Sequence, residues 1–455
     1  MNNYKNKKII FVPIEVKNRE FHPKLFFSYY CLKNNFSVFF GNKKSILRAV
    51  KNFSPGTYFH KSINVTDINH IINIKDKKNF YVSLDEEGGF AFSNVEDMSK
   101  FLDHRSSKKN MKLVDKIFTW GKFDEKIWKK KYLKYSKKII NFGAPRVDLW
   151  KEKNVKKIYN DEIEFLNLKY EKGFILILSS GLTSIKELKK VYKYDSHWMK
   201  FKNEKQKTMR LKVLKNDLKL FKMFLQTVFE VCKNNPNYNF VIKPHPTESK
   251  EDWINFRKKF PKNLFFEDKF ETSPLIHCSN MVIQTSSSTA LQAFMLKKKI
   301  ISYRPKNIYF QRDFSNYFGS IAFNSEQVSN LIKSKKNHIK KDKKMYTKLK
   351  QRLNFSDKFD NCSKIARFLY AFTPKNKSIN LSKVIIYSFI FQVIDFFKSF
   401  VLFKSKKVDY SNRSYKEKMQ TGIKKIDILK FFSSLNFNKI KVVKICNDGF
   451  YLTNK

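Results

Sequence analysis

The sequence predicts an α/β fold of two open, largely parallel halves, followed by an extra helical and β-hairpin C-terminal region. Three observations carry that expectation. Short apolar runs of strand character alternate with stretches of helical spacing over residues 8–150. After a charge-dominated stretch from Lys151 to Lys172 the same alternation begins again. Residues able to do chemistry fall where strands end, which is where open α/β sheets hold their ligands. With 455 residues, more than one domain is expected. The divisions predicted are 1–150, 151–375 and 376–455.

In the first half, "KIIFVPIEV" reads as a strand, "HPKLFFSYYCLKN" as a helix, "FSVFFGN" as a strand ending at Gly41 and "KKSILRAVKNF" as a helix. "NFYVSLDEEGG" follows, a strand running into three carboxylates and two glycines, then "DKIFTWGKFDEKIW" and "KIINFGAPRVDLW". The second half opens on the strand "GFILILSSGL". An irregular insertion around "KYDSHWMKF" and a long helix over about 207–234 come next. "NYNFVIKPHP", "SKEDWINFRKKF", "NLFFED", "SNMVIQTSSS", "TALQAFMLKKK" and "IISYRP" continue the strand–helix alternation. Both halves are therefore expected to be Rossmann-like. "FNSEQVSNLIKSKK" and "KMYTKLKQRLNFSDKFDNCSKIARFLYAF" read as closing helices. "KIKVVKICNDGFYLTNK" alternates around Asn447-Asp448-Gly449, a hairpin signal.

Charge is the outlying quantity: 93 Lys and Arg against 40 Asp and Glu give a net +53. Such a chain attracts nucleic acid, anionic membrane or phosphorylated ligands. An excess carried mostly by Lys, alongside abundant Asn, Ile and Phe, is also what low-GC coding produces without selection for a partner. A nucleic-acid surface would interleave aromatics with cations on one face, and the acidic "DEEGG" does not fit it. The five cysteines are scattered, with no CxxC pair, which argues against a disulfide framework or zinc site. No D-x-D pattern, Gly-rich phosphate loop or metal-ligand spacing is present, so metal-free chemistry without a cofactor is expected. The N-terminal apolar run is too short for a signal peptide and reads as the first strand of a cytoplasmic protein.

Three stretches are candidates for chemistry. In "KPHP", Pro244 and Pro246 fix the backbone around His245 at a strand end, with Lys243 before it. A capped turn and an anion cradle fit that spacing equally well, the second aided by a following helix N-terminus near Ser249. Ser286, Ser287 and Ser288 stand where a strand gives way to a helix. One serine suffices as a cap, and three favour hydrogen bonds to a phosphate. "SLDEEGG" gathers Asp85, Glu86 and Glu87 before two glycines; it is a solvated acidic turn or the setting of a general base.

The segment Val384 to Phe403 is the most apolar of the chain, yet Ser388, Gln392, Asp395 and Ser399 recur on one helical face. That stripe predicts an amphipathic helix packed on protein or lying in a membrane interface, ahead of a true span. Lys404, Lys406 and Lys407 at its end suit anionic headgroups.

"FVPIEVKNREFHPKLFFSYYC", "SLDEEGG", "FTWGKFDEKIW", "FGAPRVDLW", "VIKPHPTE" and "QTSSSTALQAFMLKKKIISYRP", in this order, resemble bacterial surface carbohydrate biosynthesis proteins, relatives of capsule polysaccharide synthesis proteins. The likeness covers roughly residues 8 to 305, and "IEVKNREFHPKL", "DEEGG" and "GAPRVDLW" are its most specific parts. The C-terminal region has no counterpart in it. More distantly, "EEG" and "HP" look like two motifs of bacterial sialyltransferases, which have the two-domain GT-B fold with its domains facing across a cleft. The resemblance implies Glu86 as general base, with Asp85 or Glu87 the alternatives in register. It implies His245 and Pro246 as a clamp on the CMP of the donor, Ser286 to Ser288 as phosphate donors, and Lys243 as the basic residue before His-Pro.

The expected function is metal-independent transfer of a sugar, from a CMP-activated acidic donor, to a glycan or lipid-linked acceptor. The partners expected are that nucleotide-sugar donor, the acceptor and an anionic membrane surface, not nucleic acid. Alternatives are another nucleotide-linked transferase or epimerase using CDP-glycerol or a UDP-sugar, a non-catalytic scaffold, and a nucleic-acid-binding protein.

Overall fold

The computed structural model describes residues 8–86, 88, 92–179, 204–245, 248, 250–310, 314–334, 343–356, 358–376, 379, 381–404 and 422–455. Glu87, Pro246, Ser249 and the "KYDSHWMKF" insertion lie outside them. The chain divides into two compact units, one of residues 1–89, 94–158 and 348–455, the other of 90–93 and 159–347.

In the first unit β1 (Lys8–Ile14) and β2 (Phe36–Asn42) are buried almost throughout. Such continuous apolar runs belong to central strands covered on both faces. Helices Lys17–Lys33 and Lys43–Phe53 both pack on this pair. β3 (Thr57–His60), β4 (Phe80–Leu84), β5 (Lys116–Phe118) and β6 (Ile139–Ile140) extend the sheet, each parallel to its neighbour. β3 is the strand that sequence patterning passes over, because "TYFH" is only four residues long and follows Pro55-Gly56.

The second unit carries β7 (Ile175–Leu178), β8 (Phe240–Lys243), β9 (Leu264–Phe266), β10 (Met281–Gln284), β11 (Lys299–Tyr303) and β12 (Ser320–Ala322). Their order is β12-β11-β10-β7-β8-β9, parallel throughout. The long helix Glu204–Asn234 lays Phe221, Phe224, Val228 and Val231 into the core of this unit, with Trp253 beside them.

The chain then returns to the first unit. Helix Asn361–Phe372 packs on helix Lys17–Lys33. Asp360, before it, accepts from Tyr30 Oη (2.5 Å) and Lys151 Nζ (2.7 Å). β13 (Ile440–Cys446) and β14 (Gly449–Asn454) form the expected hairpin, Asp448 taking the left-handed φ of +53° at its turn. β14 pairs antiparallel with β2, so the hairpin is part of the first sheet: β13-β14-β2-β1-β3-β4-β5-β6. Without it β2 would be an open edge. Gly41 is required at that junction, since it has φ +153° and a Cβ there would lie 2.0 Å from the Asp448 carbonyl oxygen.

The fold class is thus α/β with two Rossmann-like parallel sheets and a helical and hairpin C-terminal region. In the first, β1 leads to β2 on one side and β3 lies on the other; in the second, β7 leads to β8 on one side and β10 lies on the other. Each such reversal opens a crevice at the carboxyl ends of the two strands, the usual ligand position in open sheets.

Candidate functional site

At the reversal of the first unit, β1 delivers Glu15 and β3 delivers Lys61. Their side chains pair at 2.5 Å, with Lys43 Nζ 3.6 Å from the other Glu15 oxygen. Beneath them helix Lys17–Lys33 presents Glu20 and Lys24, one turn apart and 0% and 1% exposed. Lys24 Nζ lies 2.9 Å from Glu20 Oε2 and donates to the Pro13 carbonyl at 2.6 Å. The same Glu20 oxygen accepts the Glu15 N–H at 3.1 Å. Burial alone would raise both carboxyls, but the surrounding Lys24, Lys61, Lys43 and Arg19 outweigh it and hold Glu15 and Glu20 below the usual carboxylate range. This buried ionic floor ties helix Lys17–Lys33 to the exit of β1. The sequence signal for it is E-x-x-x-K inside an otherwise aromatic helix.

The acidic cluster sits one strand further on, after β4. The Glu86 N–H donates to the Lys61 carbonyl (3.2 Å), which ties the cluster to the β3 exit. Its two described carboxylates have different surroundings. Asp85 is gripped by Arg105 through two bonds, Nε to Oδ2 at 2.9 Å and Nη2 to Oδ1 at 2.5 Å, and its carbonyl accepts from Trp120 Nε1 at 2.6 Å. Glu86, only 6% exposed, has Arg146 Nη2 at 3.5 Å from Oε2. Arg146 comes from "GAPRVDLW" and also donates to the Arg19 carbonyl at 3.4 Å. The fork commits both Asp85 oxygens to Arg105. Of the two, Glu86 has the less engaged carboxylate.

Tyr58, His60 and His70 pack together nearby with Tyr81, the two imidazole centroids 4.8 Å apart. Burial pushes the His60 imidazole well below its ordinary value and that of His70 down to about 4. Both are neutral at physiological pH.

In the second unit the reversal lies between β7 and β10. Ser179 follows β7, His245 follows β8 and the serines follow β10. Neighbouring strands are about 4.8 Å apart, so the ends of β8 and β10 lie roughly 10 Å from each other, with β7 between. Glu248 organises the His-Pro corner: its Oε2 accepts from Ser179 Oγ (2.7 Å), the His245 N–H (3.1 Å) and Trp253 Nε1 (3.0 Å). Ser179 Oγ also accepts the His245 N–H at 2.8 Å. The His245 backbone is therefore pinned and its imidazole is left half-buried. Lys243 Nζ donates to the Asp268 carbonyl at 2.9 Å, an anchor to the exit of β9.

The serines divide their duties. Ser286 takes φ +54°, its N–H donating to Asn316 Oδ1 (3.1 Å) and its Oγ accepting from Asn316 Nδ2 (3.0 Å). Ser287 donates its N–H to the buried Gln284 (2.8 Å), and its hydroxyl shares a proton with Thr289 at 2.5 Å. Ser288 is the N-cap residue of helix Thr289–Met295, but its hydroxyl makes no capping bond. Of the three it is the one whose hydroxyl is not engaged in shaping the loop. Glu248 and Asn316, which hold these two loops together, are not singled out by sequence reasoning. The first was readable as the acid after "HPT"; the second, 30 residues past Ser286, was not.

Among the described residues no group of three or more His, Cys, Asp or Glu side chains is placed to hold a metal ion. No helix there is long and apolar enough to cross a membrane.

No family model and no curated protein matches the chain by sequence. Among solved structures it is similar to the S. aureus MnaA–UDP co-structure, at 12% identity and TM-score 0.48 over 80% of this chain and 97% of that one. It is similar to the UDP-GlcNAc 2-epimerase from Methanocaldococcus jannaschii, at 12% identity and TM-score 0.47, over 80% and 99%. The wall teichoic acid polymerase TagF is similar at 13% identity and TM-score 0.44, over 80% and 88%.

Proposed function

We propose that the protein is a nucleotide-sugar-dependent glycosyltransferase of GT-B type, acting in surface glycan synthesis on a CMP-linked acidic sugar. The second unit takes the nucleotide phosphate and the first the acceptor hydroxyl. The observation that carries the reading is the Glu248–Ser179–His245 clamp beside the Ser286–Ser288 loop at one sheet reversal. Its span of roughly 10 Å suits a nucleotide phosphate together with the group it bears. Lys243 anchors the corner.

In the reaction, Glu86 accepts the proton of the acceptor hydroxyl as that oxygen attacks the anomeric carbon, and the bond to the nucleotide phosphate breaks. Arg146, 3.5 Å away, orients Glu86. Hydrogen-bond donors from His245 and Ser288 meet the charge that develops on the leaving phosphate, so no metal is needed for that step. Glu87 keeps its place as an alternative base, and Asp85 serves as the anchor of the loop. The acceptor is a glycan or lipid-linked sugar.

Calorimetric titration with CMP, UDP and CDP-glycerol tests the donor. Saturable CMP binding, weakened at least tenfold by His245→Ala, is expected. Tight UDP binding with no response to CMP would favour a UDP-linked transferase or epimerase, and full transfer activity after Glu86→Gln would point to a scaffold or to a different base.

A further inference from the structure

Helix Leu381–Lys404 is amphipathic in the reverse of the usual sense. Ser388 and Asp395 of its polar stripe face protein. Ser388 Oγ donates to the Lys444 carbonyl at 2.5 Å, and Asp395 Oδ1 is 2.7 Å from Arg48 Nη1, while Val384 and Phe391 are buried beside them. These inward positions, 384, 388, 391 and 395, follow a spacing of four, three and four. The opposite face carries Ile385 (49% exposed), Ile386 (59%), Phe389 (71%), Ile390 (42%) and Phe397 (60%), with Val393, Ile394 and Phe396 between them. Together they show on the order of 800 Å² of apolar surface, more than the largest patch of an ordinary soluble monomer.

We infer that this face is a docking surface for an anionic lipid bilayer, on which the helix lies in the interface plane. The inference is independent of the reaction proposed above. Charge selects the occupant. The acid of the helix, Asp395, is turned inward onto Arg48, so the exposed apolar face carries no carboxylate among the described residues. Lys441 and Lys444 stand exposed on β13, the strand that the helix packs against, and the sequence supplies Lys398, Lys404, Lys406 and Lys407. An apolar face with Lys441 and Lys444 exposed on the strand beside its helix, in a chain of net charge +53, matches acyl chains beneath anionic headgroups. A second copy would set the same lysines against each other. No described helix is long and apolar enough to cross a bilayer.

Flotation of the full chain with phosphatidylcholine vesicles, with and without a large share of phosphatidylglycerol, tests this. The expected result is binding to the phosphatidylglycerol vesicles that weakens as salt rises. Ile386→Ser, Phe389→Ser and Phe397→Ser together should lower it roughly a hundredfold or more. These side chains are exposed, so an unchanged melting temperature accompanies that loss. Lys441→Glu with Lys444→Glu should reduce binding to anionic vesicles selectively. Absence of flotation, equal flotation of the triple variant, or a concentration-dependent dimer abolished by the triple variant would each overturn the proposal, the last in favour of self-association.

Discussion

Asp85 and Glu86 are adjacent carboxylates with different partners, and the difference is testable. Glu86→Gln should lower transferase kcat/KM by about a hundred- to ten-thousandfold, with a melting temperature close to that of the unaltered protein. Asp85→Asn weakens the fork to Arg105 and should instead destabilise the protein by about 1–3 kcal/mol, read as a lower denaturant midpoint. A second buried acid gives a pH signature. Burial pushes the Asp124 carboxyl up to about 7, against the opposing charge of Arg352. The folded state then holds a proton that the unfolded chain releases near pH 4. Asp124 therefore favours folding at low pH, and stability is lost as pH rises from about 4 to 7. Asp124→Asn should remove that decline, so its melting temperature should gain on the original protein between pH 5 and pH 8. Parallel curves would refute the assignment.

Single elements carry two further expectations. The loop after β8 depends on one carboxylate that collects three donors. Glu248→Ala should therefore weaken nucleotide binding by roughly tenfold or more, measured by titration, with the sheet intact by circular dichroism. Gly41→Ala places a Cβ against the Asp448 carbonyl. It should loosen the β14–β2 pairing and expose an edge, seen as faster amide exchange in β2 and concentration-dependent aggregation. Patterning located most of these elements because it reports local periodicity. Helix Lys43–Phe53 was expected at those same residues, as was the 447–449 turn. β3 and β12, of four and three residues, were too short to leave a period.

For the whole molecule, the chain path predicts unequal autonomy. Residues 159–347 contain a complete sheet and their own core, so that fragment should fold alone. Residues 1–158 should not, because 348–455 supply the edge strand β14, Asp360 for Lys151 and Tyr30, and the helix against Lys17–Lys33. Expression of both fragments, followed by chemical-shift dispersion, checks this; a well-dispersed 1–158 spectrum would contradict it.

The sequence by itself determined the alternation of strands and helices, the placing of "DEEGG", "KPHP" and "SSS" at strand ends, and the hairpin. All of these depend on residues close together in the chain. Tertiary structure decided which carboxylate Arg105 holds, that Glu248 and Asn316 shape the loops after β8 and β10, and that the last strands complete the first sheet. It also decided that helix Leu381–Lys404 turns Ser388 and Asp395 inward. Periodicity reveals that a helix has two faces; only the partners packed against it, here Arg48 and the β13 backbone, determine which face meets protein.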